Sequence, residues 1–241
     1  MTEIVLYLCS MKYFHAMKTI VAVLVVSILL TGCGNSDYDN IGTTEVTIET
    51  DRGKIVVRLY DDTPTYRDNF VRLVKQGAYD GALWHRIVRD GLIQAGTNNE
   101  AKYVGETLPA EIVYPRHFHK AGAIAAAKES DDVNPDRRSS NTQFYIVTGK
   151  VFTPGSLAEL HQTMADTDTA HKIPPFTDIQ KKVYVKRGGT PHLDGAYTVF
   201  GEVVEGLGVA QSLGHEKTVD EKPVRRLVIK KISVTAEPEK E

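Results

Sequence analysis

Cysteine is nearly missing from this chain. Its 241 residues include two, Cys9 and Cys33, and none follows position 33. A disulfide framework and a thiolate metal site are therefore excluded from everything downstream. A region without crosslinks must be stable through its core, and the ~190 residues beyond position 44 are enough to build one. Positive charge is not in excess either, with 29 Lys and Arg against 31 Asp and Glu. That balance argues against nucleic acid as a partner, since binding it needs a basic face to meet the phosphates. No Gly-x-Ser-x-Gly elbow marks a hydrolase nucleophile. Gly188-Gly189 and Gly206-Leu207-Gly208 lack the lysine and context of a phosphate loop. His117-Phe118-His119 puts two imidazoles on one face of an extended segment, with Glu111 upstream, but no third ligand follows at a recognisable spacing. No metal and no cofactor are expected.

Long apolar runs are also few. The longest, residues 20–30, follows Lys18 and is short of the ~20 residues a spanning helix needs. A basic residue, a short apolar stretch and then Leu30-Thr31-Gly32-Cys33 are the layout of a secretory signal. The tetrapeptide resembles the bacterial lipobox, which implies cleavage after Gly32 and a lipid on the Cys33 thiol. A short uncleaved anchor is the alternative. Residues 1–16 add nothing to the signal, and Met17-Lys18 makes a better start, so an over-extended reading frame is expected. Residues 34–44 are mostly small and polar and suit a flexible tether. The expected location is the cell envelope, on the periplasmic or outer-membrane side, held at a membrane by the lipid.

From position 45 the pattern turns to strands. Val46-Thr47-Ile48-Glu49-Thr50 and Ile55-Val56-Val57-Arg58-Leu59-Tyr60 flank Asp51-Arg52-Gly53, which predicts a hairpin. Thr63 and Pro64 look like the cap and first residue of a helix whose inner face carries Tyr66, Phe70, Leu73 and Val74, with Gly77 ending it. Short strand-like runs follow at 82–88, 92–95, 122–127, 143–148, 199–204 and 226–234, with a second helix at 207–213. Glycines and polar turns between them favour a mainly β fold: a closed antiparallel barrel capped by two helices. Residues 150–187 break this rhythm with helix-like stretches at 156–165, capped by Ser156, and at 178–186. They predict a helical insertion too small for a core of its own. The domain thus runs 45–235, and residues 236–241 form a charged, mobile tail.

Three blocks carry the chemistry. They are Trp84-His85-Arg86-Ile87-Val88 with Leu92-Ile93-Gln94-Ala95-Gly96, then Ser140-Asn141-Thr142-Gln143-Phe144-Tyr145-Ile146, then Leu193-Asp194-Gly195 before Tyr197-Thr198-Val199-Phe200-Gly201. In order and approximate spacing they resemble the signatures of cyclophilin-type peptidyl-prolyl cis/trans isomerases, across nearly all of the chain after position 45. The resemblance implies proline-containing polypeptides, unfolded or extended, as partners. An X-Pro bond rotates over a barrier of ~18–20 kcal/mol because the amide has partial double-bond character. A twisted amide leaves a lone pair on the proline nitrogen, and a cation aimed there favours the twisted form over the planar one.

On this resemblance Arg86 is the catalytic arginine, and Gln143 holds the substrate carbonyl and orients that arginine. Leu92, Tyr145 and Leu193 line the proline pocket, with His192 and Tyr197 at its flank. Lys128 stands where the family uses a main-chain contact, so its side chain is expected to matter little. Three positions depart from the common pattern: Gly91 for a pocket phenylalanine, His192 for a tryptophan, and Tyr197 for a histidine. Missing aromatic surface at Gly91 implies weaker turnover, or a side chain from the insertion that fills the gap. The expected activity is isomerisation of exported chains during folding in the envelope, by a monomer. The alternative is a proline-peptide-binding module or holdase with little catalysis.

Overall fold

A computed structural model describes residues 42–97, 107–167 and 175–237. Cys33, the signal segment and nearly all of the tether lie outside the described residues, as do residues 238–241 of the tail. Among the described residues no helix is long and apolar enough to cross a membrane.

Strands β1 (Thr44–Thr50) and β2 (Gly53–Leu59) form the expected hairpin. The Thr50 hydroxyl closes its turn, accepting from the Arg52 N–H and donating to the Gly53 carbonyl. Helix α1 (Pro64–Lys75) follows, burying Tyr66, Phe70, Leu73 and Val74 as the spacing predicts. Its cap differs from the expectation. Thr63 makes no side-chain cap and donates to the Tyr60 carbonyl instead. The free N–H groups of Thr65 and Tyr66 are met by the two carboxylate oxygens of Glu111, at 3.2 and 3.4 Å. A carboxylate there also suits the positive end of the helix dipole.

The main sheet is completed by β3 (Trp84–Val88), β4 (Leu92–Ala95), β6 (Ala123–Ala126), β8 (Phe144–Val147), β9 (Val199–Glu205) and β12 (Ile229–Ala236). It is antiparallel throughout, in the order β12-β1-β2-β9-β6-β8-β4-β3. Short pairs β5 (Thr107–Leu108) with β7 (Ser139–Ser140), and β10 (Thr218–Val219) with β11 (Lys222–Pro223), stand beside it. The sheet curls into a half-barrel, so the expectation of a closed barrel was too strong. Its outer edges touch only where residues 81–84 meet 227–229, through the Leu83–Val228 bridge and three main-chain hydrogen bonds. Further along, β3 meets the β10–β11 hairpin instead: the Ile87 N–H donates to the Glu221 carbonyl at 2.7 Å. Residues 218–223 had no strand signal in the sequence. At the other end β12 runs to Ala236, which pairs with Glu45.

Successive side chains on a strand take opposite faces. On β8, Phe144 and Ile146 enter the main core, whereas Tyr145 and Val147 join a smaller cluster on the other face with Tyr60, Leu92, Ala123, Ala125 and Val199. Phe144 anchors the core, with Phe70, Tyr79 and Trp84 edge-on at 5.2, 5.5 and 5.7 Å between ring centroids. Helix α1 fills one side of that core, and helix α4 (Leu207–Gly214) packs on β2 and β4.

The insertion holds α2 (Pro154–Thr167) and α3 (Asp178–Lys186). Thr153, not Ser156, sits at the cap of α2: the Ser156 N–H donates to the Thr153 hydroxyl, and the Thr153 N–H to the Ser156 hydroxyl. A small apolar cluster gathers Phe152, Leu157, Phe176 and Tyr184 around Phe118 of the main body, so the insertion shares a core after all. Its two ends meet at Gly149 and Gly189. A Cβ on Gly189 would come within 2.2 Å of the His119 carbonyl oxygen and 2.5 Å of the Tyr184 ring. The backbone would have to move. Gly189→Ala is expected to cost about 1–3 kcal/mol, as overpacking does; thermal unfolding checks it, and an unchanged midpoint would contradict this packing.

Candidate active site

The site begins with an irregularity in β3. Trp84 pairs with Ala95 and Arg86 with Gln94, leaving His85 as an extra residue. Regular alternation would put Trp84 and Arg86 on one face. The bulge instead lets Trp84 and Ile87 both point into the core, each 1% exposed, and turns Arg86 outward. Arg86, Gln94 and Tyr145 then form a row across β3, β4 and β8.

Two groups hold the guanidinium. Its Nε donates to Glu221 Oε2 at 2.7 Å, and one terminal nitrogen donates to Gln94 Oε1 at 3.2 Å. Gln94 in turn donates through Nε2 to Gln143 Oε1 at 2.9 Å. Gln143 therefore reaches the arginine through a second glutamine. Gln94 was quoted in the sequence pattern but given no role. Glu221 was missed altogether, because it arrives on the tip of the unrecognised β10–β11 hairpin. That tip has positive φ at Asp220 and Glu221, 49° and 60°, as a tight two-residue turn requires. Both partners of the Arg86–Glu221 pair are about half exposed, 45% and 48%. Such a pair contributes about 0–1 kcal/mol. It aims the guanidinium without locking it away.

A cavity of about 260 Å³ opens beside this row. Arg86, Gln94 and Glu221 line one side; Leu92, Tyr145, Leu193 and Tyr197 form the apolar part. Val88, Gly91, Ala127, Lys128, Thr190 and His192 complete the wall. Every expected pocket residue is thus present, and Gln143 stands one hydrogen bond behind. Among the described residues of 150–187 none lines the cavity; Thr190 and His192, just past the insertion, stand there instead. Gly91, with no side chain, leaves its own stretch of wall bare; its N–H donates to the Val88 carbonyl in a turn, and its carbonyl accepts from the N–H groups of Thr148 and Gly149.

Lys128 also differs from the expectation. Its side chain is 2% exposed and lies with Nζ 4.5 Å from the centre of the Tyr197 ring. The ammonium is ion-paired with Asp131, which also binds Arg137, and Arg137 donates to the Gly195 carbonyl. Lysine 128 therefore fastens Tyr197 and the 131–137 loop to each other. Partial burial pushes the Asp131 carboxyl upward, but hydrogen bonds from Lys128 and Arg137 outweigh it and hold the group below its usual range.

The histidines and Glu111 grouped by the sequence belong to separate networks. His117 stacks on Tyr60 and meets Asp62 at 2.6 Å. His119 meets Asp194 and Tyr145. Glu111 caps α1. Burial lowers the His192 imidazole below its ordinary value, so it stays neutral above about pH 6.5. The kcat/KM for an uncharged X-Pro peptide is therefore expected to be flat from about pH 6.5 to 8; a midpoint inside that window would contradict a neutral His192.

A curled antiparallel half-barrel with a guanidinium held beside a shallow apolar seat defines a prolyl-peptide isomerase of the cyclophilin class. Residues 45–234 match the profile of the family described as cyclophilin type peptidyl-prolyl cis-trans isomerase/CLD. This chain belongs to that family and is a peptidyl-prolyl cis-trans isomerase. A Staphylococcus epidermidis protein provisionally named as such an isomerase is 29% identical over 192 residues, covering 79% of this chain and 91% of its own. Its Staphylococcus aureus counterpart is 29% identical over 200 residues, covering 80% and 92%. Among solved structures, the cyclophilin type isomerase of Cryptosporidium parvum aligns with a TM-score of 0.57 at 20% identity, over 81% of this chain and 99% of that one. The same protein was also solved in the presence of the dipeptide Ala-Pro, with a TM-score of 0.56.

Proposed function

We propose that this isomerase acts on exported polypeptides in the cell envelope, anchored by a lipid on Cys33, and that Arg86 is its catalytic group. The observation that carries the reading is the fixed guanidinium at the rim of an apolar seat. A proline ring resting against Leu92, Tyr145 and Leu193 would put the X-Pro bond beside Arg86. As the bond twists, the nitrogen loses conjugation and gains a lone pair. The cation favours that state over either planar isomer, which is what lowering the barrier requires. Gln94 orients the arginine, and Gln143 fixes Gln94 and offers an amide to the peptide main chain. Tyr197 and His192 flank the ring. Lys128 acts by holding Tyr197, and no proton or electron is transferred.

The substrate class is an extended or unfolded chain containing X-Pro, because a cavity of about 260 Å³ takes a proline ring and its neighbours only from a segment exposed enough to reach it. A monomer is expected, and the near-balance of charge speaks against nucleic acid. Envelope location rests on the lipobox-like Leu30-Thr31-Gly32-Cys33.

Arg86→Ala is expected to lower kcat/KM by about 10²–10³-fold, the usual cost of losing a group that stabilises transition-state charge. Its melting temperature should barely change, because the side chain is half exposed. A proline-isomerisation assay with a calorimetric melt checks both, and activity within threefold of wild type would refute the role. Separately, Cys33→Ser should abolish lipid labelling and move the protein from the membrane to the soluble fraction. A variant that stays labelled and membrane-bound would overturn the anchor.

A further inference from the structure

Behind the seat lies a polar network that the isomerase mechanism does not use. His119, Asp194 and Tyr184 are each 0% exposed, and Tyr145 is 2% exposed. Asp194 Oδ1 accepts from the His119 main-chain N–H at 2.8 Å and meets its Nδ1 at 3.0 Å. Asp194 Oδ2 accepts from the Tyr184 hydroxyl at 2.7 Å. A carboxylate only accepts, so Nδ1 carries the imidazole proton. In the neutral imidazole Nε2 is then the acceptor, and the Tyr145 hydroxyl stands 2.9 Å from it. Donors and acceptors fit in one order: Tyr145 donates to His119, His119 to Asp194, and Tyr184 also to Asp194. Burial raises the phenols of Tyr145 and Tyr184 well above their ordinary value, which keeps both as donors.

The two ends of this chain lie in different parts of the molecule. Tyr145 faces the cavity from β8, while Tyr184 is on α3, ringed by Phe118, Phe152 and Phe176. We propose that the insertion is a positioning element of the isomerase site: Tyr184, through Asp194 and His119, fixes the ring of Tyr145 on which the proline sits. The inference rests on the reading of Tyr145 as part of the seat. Phenylalanine at 145 and 184, with apolar residues in place of His119 and Asp194, would supply similar bulk without burying a carboxylate, which is expensive and weak as a source of stability. What a fully satisfied buried network supplies is a single orientation. His119 extends that control sideways, stacking near Tyr145 at 15° and meeting Tyr197 edge-on at 6.2 Å.

A double-mutant cycle on the full chain, read as kcat/KM for an X-Pro peptide and as melting temperature, tests this. Tyr184→Phe should lower kcat/KM about fivefold or more, mainly through KM, a coupling of ordinary size for residues in one network. In a Tyr145→Phe background, where the grip on the ring is already gone, the same change should alter kcat/KM less than twofold. Its effect on melting should be the same in both backgrounds. Loss of melting temperature with kcat/KM unmoved, or equal kinetic losses in both backgrounds, would overturn the proposal and leave the network as fold support. If Tyr184→Phe does not fold, Asp194→Asn takes its place in the cycle with the same expectations. Tyr145→Ala separates the two readings: wild-type kcat/KM there would remove Tyr145 from the seat and the proposal with it, whereas a large loss beside an inert Tyr184→Phe would sink only the positioning role.

Discussion

A cation can discriminate between a planar and a twisted amide only if it is aimed before the peptide arrives. Arg86 is aimed by one extra residue in β3. The bulge at His85 lets Trp84 and Ile87 keep their places in the core while the arginine between them turns out. Cross-strand pairing then sets Gln94 beside it, and the β10–β11 hairpin brings Glu221 to its other flank. Without the bulge the guanidinium would have to be buried in the barrel or Trp84 expelled from it. Either would cost more than the pocket's few hydrogen bonds return. The aim of Arg86 and the packing of the core are therefore settled by the same local distortion.

The rest of the site shows two ways of holding an aromatic wall. Tyr197 is fastened from the solvent side by Lys128, itself fixed by Asp131 and Arg137. Tyr145 is fastened from the interior through His119 and Asp194. The bare wall at Gly91 fits this scheme: with two tyrosines clamped, the seat keeps an apolar surface although one ring is missing. The insertion, none of whose described side chains lines the cavity, is closed at its base by Gly149 and Gly189; it reaches the site through α2, which packs on the turn at 191–193, and through the buried polar chain.

Much of this was legible in the sequence. Alternation gave the β1–β2 hairpin and the inner face of α1, because a period of two or 3.6 is local information. The motif residues Arg86, Leu92, Tyr145, Leu193 and Tyr197 do meet in one cavity. What escaped is what depends on distant pairing. A bulge has no local signal, so Gln94, which stands between Gln143 and Arg86, was given no role. Residues 218–223 are too short and polar to announce a hairpin, and Glu221 stayed hidden with them. Glu111 caps α1 from over forty positions away, a contact that no capping pattern encodes. Lys128 looked dispensable because its burial depends on Tyr197, far along the chain. Barrel closure was overstated because strand runs do not reveal which edges meet.

The most direct test is a crystal structure of this chain with a peptide containing Ala-Pro. The proline ring should rest against Leu92, Tyr145 and Leu193, with the Arg86 guanidinium within hydrogen-bonding reach of the prolyl nitrogen and still bonded to Gln94. A ring bound elsewhere, or a guanidinium that turns from the peptide to remain on Glu221, would contradict the account.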